Sequence, residues 1–366
     1  MKIVCKKSDL VNGTQIVSRA VPSHTTMPIL ECILIEAANG FIKLTANNMD
    51  LGIETVIEGE IEEKGIIALD AKIFLNIVRK LPDNLVTIQT DENYQAFITC
   101  ESANFNIPGK SGEDFSYLPD IERDNSIVIS QFTLKEVIRQ TIFSIIENDN
   151  NKMMGGENIV INKDMMTVDS LDGHRISRRM IELKGEFGSV NAIIPGRTLK
   201  EISNILSGDA DKDVNIFFTD NNVLFEFDNT IVLSRLIEGP YFNVDHMITK
   251  DYKIKFKINK KHLLECLDRA SLLVKEGEKK PIIMNINENE LKLSINSSIG
   301  NMEELIDIEK EGEDIRIGFN PKFLIDALHV IDDDEVNIYL IDSKAPCVIK
   351  NDDNSYLYMI LPINII

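Results

Sequence analysis

A helical stripe of apolar residues recurs at equal intervals along the chain. Residues 70–81 place Phe74, Ile77, Val78 and Leu81 at i, i+3, i+4 and i+7, the signature of one buried helix face. Residues 195–206 repeat the stripe with Leu199, Ile202 and Leu206, and residues 320–331 repeat it with Leu324, Ala327, Leu328 and Ile331. The flanks repeat as well. Strand-like runs precede each helix at 66–69, 192–194 and 315–319, and others follow an Asp-rich turn at 85–91, 214–220 and 336–342. Further strands are predicted at 41–46, 165–170 and 291–296, and each repeat opens with a helix, at 8–21, 133–145 and 260–274. Such periodicity decides architecture before any motif does. It predicts an α+β fold of three tandem similar domains, 1–124, 125–250 and 251–366, with polar joints near 121–126 and 249–252. Each domain carries two helices. Connections are too short for βαβ crossovers, so the sheets should be mainly antiparallel.

The 366 residues are 43% hydrophobic and 27% charged, which supplies real cores and excludes disordered or collagen-like classes. No apolar run is long enough to cross a membrane, and Met1-Lys2-Ile3-Val4-Cys5-Lys6-Lys7 lacks the features of an export signal, so a cytoplasmic protein without a membrane partner is expected. Five scattered cysteines without a C-x-x-C pair point to buried, reduced thiols. The five histidines show no metal-ligand spacing, and neither a metal nor a cofactor is expected. Enzymatic motifs are lacking: Gly109-Lys110-Ser111 has no upstream glycine to complete a phosphate loop, and Asp172 with His174 has no nucleophile beside it. The acidic runs 60–63 and 332–335 read as solvated turns.

Charge sets the next constraint. With 39 basic and 59 acidic residues the net charge is −20, which opposes tight binding to a phosphate backbone. Yet Lys72, Arg197 and Lys322 occupy one repeat position opposite the apolar stripe, and the opening helices add Lys6, Lys7, Arg19, Lys135, Arg139, Lys260, Lys261 and His262. Two readings stand: ordinary solvated helix faces, or a basic surface kept within an acidic chain.

Four further segments carry a resemblance: Thr26-Met27-Pro28-Ile29-Leu30, Leu171-Asp172-Gly173-His174-Arg175-Ile176, Leu236-Ile237-Glu238-Gly239 and Leu361-Pro362-Ile363. In this order on a threefold repeat they closely resemble the bacterial DNA polymerase III beta subunit family, the sliding clamps, over essentially the whole chain. The resemblance implies a head-to-tail homodimeric ring, with sheets outside and helices lining a channel around double-stranded DNA. It implies a non-catalytic processivity factor that binds the replicative polymerase subunit, the clamp loader and other proteins carrying a clamp-binding motif. Encirclement would reconcile the acidic charge with DNA, since a ring needs only weak, sequence-independent attraction.

Site residues follow from the same resemblance. DNA-facing positions correspond to His24, Lys72, Arg197 and Lys322; His24 replaces a residue that is usually basic. The dimer joint corresponds to Phe105 and Ile107 with Leu272 and Leu273, for which core packing is the competing reading. The partner-peptide groove corresponds to Met154, Leu171, Gly173, His174, Arg175, Ile176, Phe242, His246, Met247, Met359, Ile360, Leu361, Pro362 and Ile363. Met-rich walls suit a groove that accepts related peptides. Gly173 would allow a sharp turn that presents His174 and Arg175 to a peptide; the alternative is a satisfied turn that supports the core. Tyr241-Phe242-Asn243 and Asn364 depart from the family pattern, so peptide preference is expected to differ. The competing reading is an acidic three-repeat peptide-binding scaffold that does not encircle DNA.

Overall fold

The computed structural model describes residues 1–146, 151–249, 251–275 and 280–365. Lys250, in the second expected joint, lies outside the described residues. Seven α-helices are present among those described: α1 Lys7–Val17, α2 Ala71–Lys80, α3 Gln131–Thr141, α4 Gly196–Ile205, the short α5 Val244–Met247, α6 Lys260–Ser271 and α7 Pro321–Val330. The six long ones are the predicted pairs, one pair per repeat. Their ends are local chemistry: Asp70 accepts a hydrogen bond from the Ile73 N–H at the start of α2, and Asn259 and Asn320 do the same for α6 and α7. The opening helices are shorter than expected. α1 gives way to a 3-10 turn at Ser18–Ala20, and α3 to another at Ile142–Ser144.

The apolar stripes bury as read. Phe74 and Val78 of α2, and Leu324, Ala327 and Leu328 of α7, are buried against sheet. Each such Leu or Phe contributes roughly 2 kcal/mol. Every paired strand is antiparallel. The cysteines behave as predicted. All five are free and buried, and burial pushes the Cys5, Cys266 and Cys347 thiols up to about 12.

The chain forms two compact units, 1–134 with 201–236 and 135–200 with 237–366. Within the first, strand Leu51–Ile57 of the first repeat pairs with strand Thr230–Arg235 of the second, Thr55 opposite Thr230, and their buried hydroxyls lie 2.9 Å apart. Within the second, strand Arg175–Pro195 pairs with strand Tyr356–Ile360 of the third repeat, Arg175 opposite Ile360. Successive repeats are therefore joined by continuing a sheet.

Glu157 places an ionisable group in the core. Glu157 on strand Gly156–Leu171 is 1% exposed, and neither carboxyl oxygen has a hydrogen-bond partner among the described residues. Thr141, beside it, donates its hydroxyl to the Val137 carbonyl instead. Burial pushes the carboxyl from 4.5 up to about 8, and Asp169 pushes the same way. The folded chain therefore holds a proton that the unfolded chain releases above its lower pKa. Stability should fall as pH rises between the two values, by roughly 1.4 kcal/mol per pH unit. Glu157→Gln should flatten that slope and stabilise the protein at neutral pH by roughly 3 kcal/mol, read by urea denaturation at several pH values.

Candidate functional site

Strand alternation builds an apolar floor in the second unit. Leu171, Ile176, Val244, Val348, Leu357 and Met359 form one buried cluster, with Met154, Tyr241 and Phe242 half-buried against it. Met247, at 40% exposure, and Leu361, at 38%, carry apolar surface outward beside it. His246 is exposed on α5, which Asn243 caps by accepting from the His246 N–H. Five of the fourteen expected groove residues, Met154, Leu171, Ile176, Phe242 and Met359, are thus brought together in one cluster. Val244, Val348 and Leu357 were not foreseen, although the alternation of strand 356–360 marks Leu357 and Met359 as one face.

Ile360 is a correction. It points to the opposite face, with Tyr356 and Tyr358, into the core of the third repeat, because successive strand residues alternate sides. Pro362 and Ile363 leave the floor. The Ile363 N–H donates to the Gly318 carbonyl at 2.8 Å, so the tail runs along strand Ile315–Phe319.

The turn at 172–175 holds a second correction. Gly173 has φ +83°, which a side chain would strain, and Asp172 Oδ1 accepts from the His174 and Arg175 N–H groups at 2.9 and 3.0 Å. His174 is exposed, its ring 6.0 Å from Phe323, and its carbonyl accepts from the Leu361 N–H. Arg175 does not face a peptide. It is 8% exposed and donates to Asp172, to Asp326 of α7 at 2.6 Å and to the Phe143 carbonyl at 2.6 Å. Its guanidinium lies 5.2 Å from the Phe143 ring centre and 4.6 Å from that of Phe323. Flat, multiply donating and always charged, it locks the turn to two helical segments.

The basic positions have a consistent geometry. Lys72, Arg197 and Lys322 are each the second residue of α2, α4 and α7, each exposed, and none has a carboxylate partner among the described residues. A cation in the first turn opposes the helix dipole, by about 0.3–1 kcal/mol. Helix stability does not account for their placement. Carboxylates on the same helices are consumed elsewhere: Glu201 of α4 pairs with Arg19 at 2.8 Å, and Asp326 of α7 with Arg175. Several opening-helix cations are also committed, Arg139 to Glu136 and Asp332 and Lys260 to the Ile331 carbonyl. His24 is exposed.

The positions expected at a subunit joint divide. Phe105 is 39% exposed and Leu272 77%, whereas Ile107 is buried and Leu273 packs against the core of the third repeat. Ile299, in the turn at 297–300, and Leu305, on strand Asn301–Asp307, are 53% and 59% exposed and went unread in the sequence because single apolar residues in polar surroundings carry no pattern.

Three copies of a two-helix, antiparallel-sheet unit joined edge to edge define a DNA clamp fold of three tandem domains. Models of the DNA polymerase III beta subunit match throughout: the N-terminal domain over 1–119, the central domain over 128–243 and the C-terminal domain over 245–364. The beta sliding clamp of Staphylococcus epidermidis is 34% identical, with 99% of both chains covered. Among solved structures, a putative DNA polymerase III beta subunit from Eubacterium rectale is 61% identical with a TM-score of 0.98, covering 100% of both chains. The DNA polymerase sliding clamp of Bacillus subtilis is 33% identical with a TM-score of 0.97, again over 100% of both chains. The chain belongs to the DNA polymerase III beta subunit family, the beta sliding clamps.

Arg175→Ala should cost about 3 kcal/mol in urea denaturation, because it strands Asp172 and Asp326 without their cation. Lys72→Ala should change stability by less than about 0.5 kcal/mol in the same assay.

Proposed function

We propose that two copies of this chain close head to tail into a ring that encircles duplex DNA, slides without reading sequence and tethers replication proteins through the groove of Leu171, Ile176 and Met359. The observation that carries this reading is an unmatched pair of sheet edges. By the repeat, strand Leu51–Ile57 corresponds to Arg175–Pro195 and to Asn301–Asp307, while Thr230–Arg235 and Tyr356–Ile360 correspond to Ala103–Ser111. The first two members of each set are paired with one another. The third members are not. Asn301–Asp307 pairs only with Glu290–Asn296, and residues 103–108 pair only with Gln95–Cys100 among the described residues.

A second copy can supply the missing pairing. The same backbone bonding that joins the repeats would then join subunits, and neither edge would remain to template aggregation. Side chains beside these edges support it. Leu272 and Leu305 present apolar surface around Asn301–Asp307, against which α6 is held by the Arg269–Glu304 ion pair, and Phe105 lies on Ala103–Ser111.

Free cations at Lys72, Arg197 and Lys322 support a weak grip on phosphates, with His24 as a minor member. Retention comes from closure, so strong binding would only slow sliding. The role is that of a non-catalytic accessory subunit. Its partners are the replicative polymerase subunit, the clamp loader and other proteins with an apolar clamp-binding tail.

Two measurements test the reading. Protein loaded on a nicked circle should be lost when the circle is linearised; equal retention on both forms would favour a scaffold that never encloses DNA. Leu272→Asp combined with Leu305→Asp should convert a dimer to a monomer by light scattering without loss of helical signal, and an unchanged mass would refute the assigned joint.

A further inference from the structure

Each repeat begins on a strand that leads into its opening helix: Lys2–Lys6, Ile127–Ser130 and Ile254–Asn259. In the first and third repeats this strand is flanked on both sides. Lys2–Lys6 lies between Leu85–Thr90 and Glu60–Glu63, and Ile254–Asn259 between Glu335–Leu340 and Glu309–Glu311. In the second repeat it pairs with Asp213–Phe218 alone among the described residues. The residues that match Glu60–Glu63 by position, 185–188, belong to strand Arg175–Pro195, where Phe187 pairs with Lys163.

The open side of Ile127–Ser130 carries usable backbone groups. The Gln131 N–H, one residue past the strand, donates to the Lys212 carbonyl at 2.7 Å. Bonding alternates along an antiparallel ladder, so Ile129 and Ile127 also face Asp213–Phe218, while the Val128 N–H and C=O and the Ser130 N–H turn outward. The other repeats keep the same phase: the Lys7 N–H donates to the Asn84 carbonyl at 3.1 Å, and the Lys260 N–H to the Asp334 carbonyl at 2.9 Å. Three residues before those donors, Val4 stands opposite Glu60 and Lys257 opposite Glu309. Val128 is their counterpart. It is 37% exposed and has no strand opposite its outward side among the described residues.

Protection differs as well. Glu60–Glu63 and Glu309–Glu311 are themselves outermost strands, and their glutamates discourage further pairing. Ile127–Ser130 is outermost and uncharged. We propose that this edge binds an extended segment of a partner protein as an added antiparallel strand, in the place that Glu60–Glu63 and Glu309–Glu311 fill in the other repeats. The contrast between repeats sets the chemistry of that segment. Lys2 holds Glu62 at 2.6 Å in the first repeat, whereas no cation stands on Ile127–Ser130, so an acidic strand is not selected. An uncharged, β-branched residue suits the position opposite Val128. The proposal uses residues of neither the groove nor the two edges assigned to a second copy.

The test is amide hydrogen exchange and NMR titration of the full chain with the peptide acetyl-Lys-Thr-Ile-Thr-Val-Lys-amide and with the same peptide N-methylated at its four central residues. In the free protein the Val128 N–H should exchange at least about tenfold faster than the Val4 and Lys257 N–H groups. Saturable slowing and shifts at the Val128 and Ser130 amides with the unmethylated peptide alone support the assignment. Val128→Pro, which removes an outward N–H, should weaken that binding about tenfold; the methylated peptide decides the matter without it if the variant does not fold. A Val128 N–H as protected as that of Val4 in the free protein, equal shifts with both peptides, or none with either, overturns the proposal. Protection of Val128 that grows with protein concentration in the absence of peptide gives the edge to a second copy and overturns it too.

Discussion

Backbone hydrogen bonding at the edges of short strands is the constraint on which this protein depends. A sheet edge carries a row of N–H and C=O groups that must find partners or remain open to any passing strand. Here the second repeat satisfies the first through Thr230–Arg235, and the third satisfies the second through Tyr356–Ile360. Because the bonds belong to the backbone, the joints tolerate divergent side chains. The buried Thr55 and Thr230 hydroxyls add a specific polar contact at the first. Strand Asn301–Asp307 and residues 103–108 each keep one edge without a partner strand among the described residues.

Electrostatics works within that frame. The chain is strongly acidic, yet Lys72, Arg197 and Lys322 in the first turns of α2, α4 and α7 have no carboxylate partner among the described residues, while Glu201 and Asp326 are neutralised by Arg19 and Arg175. Free positive charge on those helices is therefore a matter of where the carboxylates are spent. Arg175 shows the principle most clearly, since one buried guanidinium answers Asp172, Asp326 and a carbonyl while resting between two aromatic rings. It shapes the groove by holding the turn, and His174 and Leu361 are left at the surface.

Much of the fold was legible in the residues. The stripe of Phe74, Ile77 and Val78 and its two copies located α2, α4 and α7 nearly to the residue, because helix periodicity is a local property. The opening helices were read too long, since the chain tightens to 3-10 turns at Ser18–Ala20 and Ile142–Ser144. The expected groove positions came largely from family resemblance. Its failures have a physical pattern: Ile360 and Arg175 stand among groove residues in the chain but turn inward, and Leu305 stands in a polar strand yet is exposed.

The sequence alone determined the threefold repeat, the identity of the elements, the buried thiols and the family, because each depends on residue types at short spacing or on order along the chain. Tertiary structure decided which side of each strand a residue serves, which cations stay free and which edges lack a partner. Those outcomes depend on contacts such as that between Arg175 and Asp326, 151 positions apart, and on pairings that alternate at every residue. No local pattern encodes them, since the same side chain is floor or core according to what the fold brings to its face.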